Sequence, residues 1–159
     1  ELRELAKTIR KLLGLGETVY FPVLEVLELL PCLDEEAHFE VVKNEELPTG
    51  IHALTDINSK TIFIREDVYE GAFNKMGRDR MTIAHELSHF IMLIICGYSV
   101  ARSFSEEEIP PYKDPEWQAK CLAGELLMPA EIIAGKTPDE VSKMCGVSLD
   151  AAKYQLNKL

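Results

Sequence analysis

Thr82-Ile83-Ala84-His85-Glu86-Leu87-Ser88-His89-Phe90-Ile91 sets an H-E-x-x-H pattern inside an apolar run. Two histidines four residues apart stand one turn above the other on one face of a helix, so both imidazoles reach a common point. Glu86 is rotated by about 100° from His85, which sets its carboxylate beside that point, where it can serve as a general base toward water. From Ile83 to Cys96 the only polar side chains are His85, Glu86, Ser88 and His89. Burying two imidazoles and a carboxylate in such surroundings is costly unless something pairs with them. A divalent cation is the simplest partner, and the bland alternative is a chance pattern of core or surface histidines.

Working outward, a helix opens near residue 79 or 80 and runs to about 95, with Gly97 near its end. Upstream, Leu2, Leu5, Ile9, Leu12 and Leu13 predict an amphipathic helix over 2–13, closed by Gly14 and Gly16. A second helix starts at Pro22 and stops before Pro31, and Leu5, Ile9 and Leu12 are expected to face it. Residues 38–42 read as a short strand. Residues 51–55 and 61–64 form a hairpin around Asp56-Ile57-Asn58-Ser59-Lys60, and 67–73 a short helix. The polar stretch 98–114 is a long loop that either rims a cleft or is an insertion. Asp114 and Pro115 then cap and open a helix that ends at Pro129. Thr137-Pro138 and Ser148 start two short helices joined at Gly146, with Leu149, Ala152, Leu156 and Leu159 along one side of the second. The fold class is α+β, mainly helical, with a small β-sheet and a C-terminal helical hairpin. A main domain over 1–135 carries that hairpin, 136–159, packed on it or appended.

A 159-residue chain fits one such domain, and 47% hydrophobic residues supply its core. Asp and Glu outnumber Lys and Arg by 27 to 17, a formal charge of −10, which repels phosphate backbones and makes direct nucleic-acid binding an unfavoured expectation. No apolar run reaches membrane-spanning length, and the charged start Glu1-Leu2-Arg3-Glu4 does not read as a signal peptide. The chain begins without Met. Its four cysteines, Cys32, Cys96, Cys121 and Cys145, include no C-x-x-C pair; a reduced, cytoplasmic protein is the simpler expectation.

Catalytic metal sites commonly take three protein ligands and leave one position open. Downstream candidates for the third are Glu106, Glu107, Glu108, Asp114, Glu116, Cys121 and Glu125. Glu116 is favoured, because Ala119, Ala123 and Leu127 follow it at three, seven and eleven. The small side chains let this helix approach the histidine helix. Glu125 points the other way and is expected to face solvent, with a supporting role beside the site as the alternative.

Arg80-Met81-Thr82-Ile83-Ala84-His85-Glu86-Leu87-Ser88-His89-Phe90 and Glu116-Trp117-Gln118-Ala119-Lys120-Cys121-Leu122-Ala123-Gly124-Glu125-Leu126-Leu127-Met128-Pro129 resemble the ImmA/IrrE-type metallo-endopeptidases. The second stretch is the more diagnostic, through its Leu-Leu-Met-Pro ending. The likeness runs loosely from the first helix to about Pro129. It departs at Ser88, where the family usually has Gly, and at Leu122, often aromatic there. The resemblance implies a zincin-like metallopeptidase fold and one zinc ion per chain, with His85, His89 and Glu116 as ligands and Glu86 as catalytic base. It further implies a bacterial protein of mobile elements or stress responses that cleaves a helix-turn-helix transcriptional repressor. Tyr98, Tyr112 and His52 are unranked candidates for the oxyanion donor. Two other classes stay open: a repressor-binding protein that does not cut, and a DNA-binding regulator using the C-terminal helices.

Overall fold

The computed structural model of the protein describes residues 1–95, 97 and 113–159. Cys96, Tyr98, Glu106, Glu107, Glu108 and Tyr112, with most of the expected long loop, lie outside the described residues. In chain order the elements are α1 (Leu2–Leu12), α2 (Val23–Glu28), α3 (Leu30–Leu33), β1 (His38–Val42), β2 (Ala53–Asp56), β3 (Thr61–Arg65), α4 (Glu66–Phe73), α5 (Gly77–Phe90), α6 (Pro115–Leu127), α7 (Ala130–Ile133), α8 (Pro138–Cys145) and α9 (Leu149–Leu156). A 3-10 turn (Asn44–Glu46) follows β1, and a π-helical turn (Ile91–Ile95) prolongs α5. The fold is mainly helical with one small sheet.

The sheet has the order β1-β3-β2. β3 is central, parallel to β1 (Phe39 opposite Ile62) and antiparallel to β2 (Leu54 opposite Phe63). Ala53, Ile62 and Ile64 turn one face toward the core, and Ile62 and Ile64 are fully buried. Against this layer lies α5, whose Ile83, Ala84, Leu87 and Phe90 are fully buried. Each large apolar side chain there contributes about 1.5–3 kcal/mol relative to exposure. Ser88 is buried as well, and its hydroxyl donates to the Ala84 carbonyl at 2.8 Å, which satisfies it within its own helix. On the other flank α6 packs on α5 through Ala119, Leu122, Ala123 and Leu126, all fully buried. Two alanines on that face remove side-chain bulk at the contact, so the helix axes come close.

Several local expectations are corrected. The first helix packs on α6, not on α2. Its buried face is Ala6, Ile9 and Arg10, while Leu12 is 79% exposed. The reason is Arg10, which donates to the Leu126 carbonyl at 2.6 Å and to the Thr18 carbonyl and lies over the Phe21 ring. Both Nη atoms are bonded in this way, though Nε has no partner among the described residues, and the helix is rotated away from the face its leucines define. Helix α2 does stop before Pro31, at Glu28; what the sequence did not indicate is α3, in whose first turn Pro31 sits, where its missing N–H costs nothing. Helix α5 starts at Gly77 and its α-geometry stops at Phe90.

The tail also differs in detail. Thr137 caps α8 in a reciprocal box with Glu140, and Ser148 caps α9. The inner side of α9 is Ala152 and Gln155, with Leu149 39% and Leu159 53% exposed. Gln155 fits inside because Gly124 of α6 has no side chain; a Cβ there would meet Gln155 Oε1 at 2.7 Å. Val141, Cys145, Val147 and Ala152 join the same core as α5 and α6.

Arg80, fully inside α5, ties three segments together. Its Nε donates to the Gly146 carbonyl at 2.9 Å, and Nη2 to the carbonyls of Phe21 at 2.9 Å and Cys145 at 3.2 Å. Its guanidinium lies 3.8 Å from the centre of the Tyr20 ring. Gly77 permits the approach of the tail, since a Cβ there would stand 2.6 Å from Ser148 N and Val147 C.

Candidate metal centre

Helix α5 presents His85 and His89 one turn apart, and α6 brings Glu116 to them from its first turn. Asp114 caps α6 by accepting from the Glu116 N–H at 3.0 Å, which sets where that first turn begins. His85 Nε2 stands 3.1 Å from Glu116 Oε2, and His89 Nε2 stands 3.1 Å from Glu116 Oε1. The two Nε2 atoms are themselves 3.1 Å apart. These three residues form a group whose ligand atoms could hold a metal ion.

The donor set can be tested for fit. Tetrahedral bonds of about 2.0–2.1 Å separate neighbouring ligand atoms by roughly 3.3 Å, close to the 3.1 Å contacts found here. Two imidazoles and one carboxylate form a set suited to zinc that leaves one position open. Pointing two imidazole Nε2 atoms at each other has little merit for the imidazoles alone, because two acceptors repel and one must then hold a proton. A cation resolves that conflict. The residues fit.

Glu86 is beside the cluster and turned toward β2. Thr55 Oγ1 donates to Glu86 Oε2 at 2.8 Å and also lies 3.1 Å from the Glu86 carbonyl oxygen. Burial raises the Glu86 carboxyl pKa above the ordinary glutamate value, and Glu116 pushes it the same way. The Thr55 hydrogen bond and the charge of His85 work against that rise.

An open groove of about 380 Å³ runs over this place, lined by Ile51, His52, Met81, Thr82, His85, Glu86 and Lys120 among others. A larger one, about 730 Å³, lies on the opposite flank of α6 between Arg3, Trp117, Cys121, Glu125 and Lys158. Size does not locate the chemistry, since the only metal-binding cluster found among the described residues adjoins the smaller groove.

A family model described as the IrrE N-terminal-like domain of the M78 peptidases matches residues 49–157, more than half of the chain. The chain belongs to the M78 peptidase family. The match starts after β1 and runs through the C-terminal hairpin, whereas the motifs that carry the resemblance stop at Pro129. No curated protein and no solved structure is significantly similar to the chain. Within the described residues, then, an M78 domain carries a His-His-Glu group on its central helix pair, as a metallopeptidase-type enzyme requires.

Other residues fall as follows. His52 lines the small groove. Cys121 is buried on the far flank with Lys158 Nζ 3.5 Å from its sulfur. Glu125 does not face solvent: it is 7% exposed and receives Arg3 Nε and Nη2, each at 3.1 Å. An aliphatic-looking turn hid this partner, because Arg3 lies more than a hundred residues away in sequence. Thr55 and Lys120 went unremarked in the sequence. For Lys120 a signal existed, namely its place one turn after Glu116 on the same helix face. For Thr55 there was none, since hairpin register does not tell which helix a strand will meet.

Proposed function

We propose that this protein is a zinc-dependent endopeptidase that acts on a helix-turn-helix transcriptional repressor in the cytoplasm. The observation that carries the reading is the convergence of His85, His89 and Glu116 within 3.1 Å contacts next to the Glu86 carboxylate. His85 and His89 would hold the ion through Nε2 and Glu116 through its carboxylate. When bound, zinc supplies Lewis acidity toward a carbonyl oxygen and makes water acidic enough to deprotonate near neutral pH.

The remaining work belongs to the chain. Glu86 takes a proton from the attacking water on its carboxylate and returns it to the nitrogen of the leaving amine. Its burial beside the groove makes it a stronger base than an exposed glutamate. The substrate has a template in β2. His52 accepts from the Arg65 N–H at 3.1 Å, and the antiparallel alternation then turns the backbone groups of Ala53 and Thr55 away from β3. An extended peptide added to that edge would pass over the groove.

The domain reading that accompanies this function keeps 1–135 as the metallopeptidase domain and 136–159 as a hairpin on it. The free thiols of Cys32, Cys121 and Cys145 agree with a reducing compartment. No helix among the described residues is long and apolar enough to cross a membrane. The test is co-incubation of the zinc-loaded protein with the repressor encoded beside its gene, in parallel with Glu86→Gln. Cleavage by the first and none by the second is expected. An intact repressor in both, with zinc bound, would overturn the reading.

A further inference from the structure

We propose that Thr55 is a positioning residue for the catalytic base, holding Glu86 Oε2 against β2 so that Oε1 is the oxygen offered to the groove. The inference rests on the peptidase reading above and adds a residue to it.

Thr55 and Glu86 come from different layers of the fold. Thr55 belongs to the edge strand of the sheet and Glu86 to the helix packed beneath it. Thr55 Oγ1 sits 2.8 Å from Oε2, a well-formed O–H···O hydrogen bond. A glutamate has three side-chain torsions, and without an anchor its carboxylate samples several positions around the groove. One short bond from a β-branched residue with a stiff χ1 removes most of that freedom. The anchor is itself well fixed, because Thr55 lies opposite Ile62 in the β2–β3 ladder and Ile62 is fully buried.

The second contact matters as well. The same hydroxyl is 3.1 Å from the Glu86 backbone oxygen. Oγ1 is therefore fixed relative to both ends of one residue, and the strand cannot slide along α5 without breaking the pair. Thr55 also turns its own backbone groups to the free edge of β2, where an extended substrate would pair. The residue that would bind the peptide backbone is thus the one that aims the base, so substrate seating and base placement share one rigid part. Bases placed to within fractions of an ångström are what positioned proton transfer requires.

Thr55→Val keeps the shape and removes the hydroxyl, whereas Thr55→Ser keeps the hydroxyl. With zinc-loaded full-length protein and the neighbouring repressor as substrate, Thr55→Val should lower kcat by about 10–100-fold, as loss of an outer hydrogen bond does elsewhere. KM and zinc content should stay as in wild type, and Thr55→Ser should recover most of the rate. A readout independent of turnover is a double-mutant cycle of Thr55→Val and Glu86→Ala by urea unfolding, again with zinc present. The two changes should be coupled by about tenfold or more in the unfolding constant, as expected of a hydrogen bond to a charged group. Wild-type kcat in Thr55→Val, no rescue by Thr55→Ser, or additive changes in the cycle would each overturn the proposal. A wild type that cuts nothing would overturn the peptidase reading instead, and is told apart because the cycle does not depend on cleavage.

Discussion

His89 Nε2 and Glu116 Oε1 lie 3.1 Å apart, joining the last turn of α5 to the first turn of α6. The Glu116 side chain is 71% exposed, and its other oxygen meets His85. Each carboxylate oxygen meets a different imidazole, a bridging posture that a shared cation would account for. The first prediction is about one zinc per chain in protein prepared without chelator, read by elemental analysis. At a hundredfold excess over Kd the ion should add about 2.7 kcal/mol of stability, visible as a higher Tm. His85→Ala and Glu116→Ala should bind the ion more weakly and show both effects only in part. Wild type with neither metal nor a Tm response to added zinc would remove the metal centre.

Glu86 and its neighbours separate base from ligand. Glu86→Gln keeps the volume and an acceptor for Thr55 but removes the basic carboxylate. It should bind zinc like wild type and cut the repressor at least about 10²–10⁴-fold more slowly. Because burial disfavours the charged carboxylate, its Tm should not fall. His85→Ala should lose activity by another route, through weakened metal binding, and excess zinc should restore part of it. A paired assay of bound zinc and cleavage distinguishes the two; equal cleavage by Glu86→Gln and wild type would rule out the mechanism.

The parts that could be read from the sequence are those governed by local rules. Asp114, Thr137 and Ser148 cap the helices their types announce, and β1, β2 and β3 fall where alternation placed them, within two residues. The approach of α6 to α5 was legible from Ala119 and Ala123, since small residues at helix spacing have few other uses. What stayed hidden depends on partners distant in the chain. No local pattern marks Arg10 or Gln155 as buried; the Leu126 carbonyl and the bare Gly124 receive them. Glu125 read as solvent-facing for the same reason, with Arg3 as the missing partner.

That Arg3–Glu125 pair gives a third prediction. The carboxylate is buried and accepts from two guanidinium nitrogens, Nε and Nη2, while the Arg3 side chain is 38% exposed. Arg3→Ala leaves Glu125 inside without its donor and should cost about 1–3 kcal/mol, toward the lower end because water reaches the vacated side. Replacing Glu125 as well, with Gln, should return part of the loss. The check is chemical denaturation of the single and double variants. Full additivity would mean that the pair is not coupled in solution.

The last prediction concerns how the C-terminal hairpin is held. Arg80 donates to the carbonyls of Gly146, Cys145 and Phe21, tying the hairpin and the segment before α2 to α5. Arg80→Met fills much of the space but provides no donor. The Phe21 carbonyl keeps the Val23 N–H at 3.0 Å, whereas those of Gly146 and Cys145 lose the Arg80 donor at about 1–3 kcal/mol each, and relaxation lets water reach them, so a total of about 2–4 kcal/mol is expected. The loss should be shared by the whole chain, because Val141, Cys145 and Ala152 belong to the core that α5 and α6 build. Hydrogen exchange should show it: amides of α8 and α9 should speed up together with those of α5. Faster exchange confined to 138–156, with α5 unchanged, would mean that the hairpin opens alone and that Arg80 clamps an appendage. In that case Arg80→Met should still bind zinc with wild-type stoichiometry, since His85, His89 and Glu116 would remain on an intact α5–α6 pair.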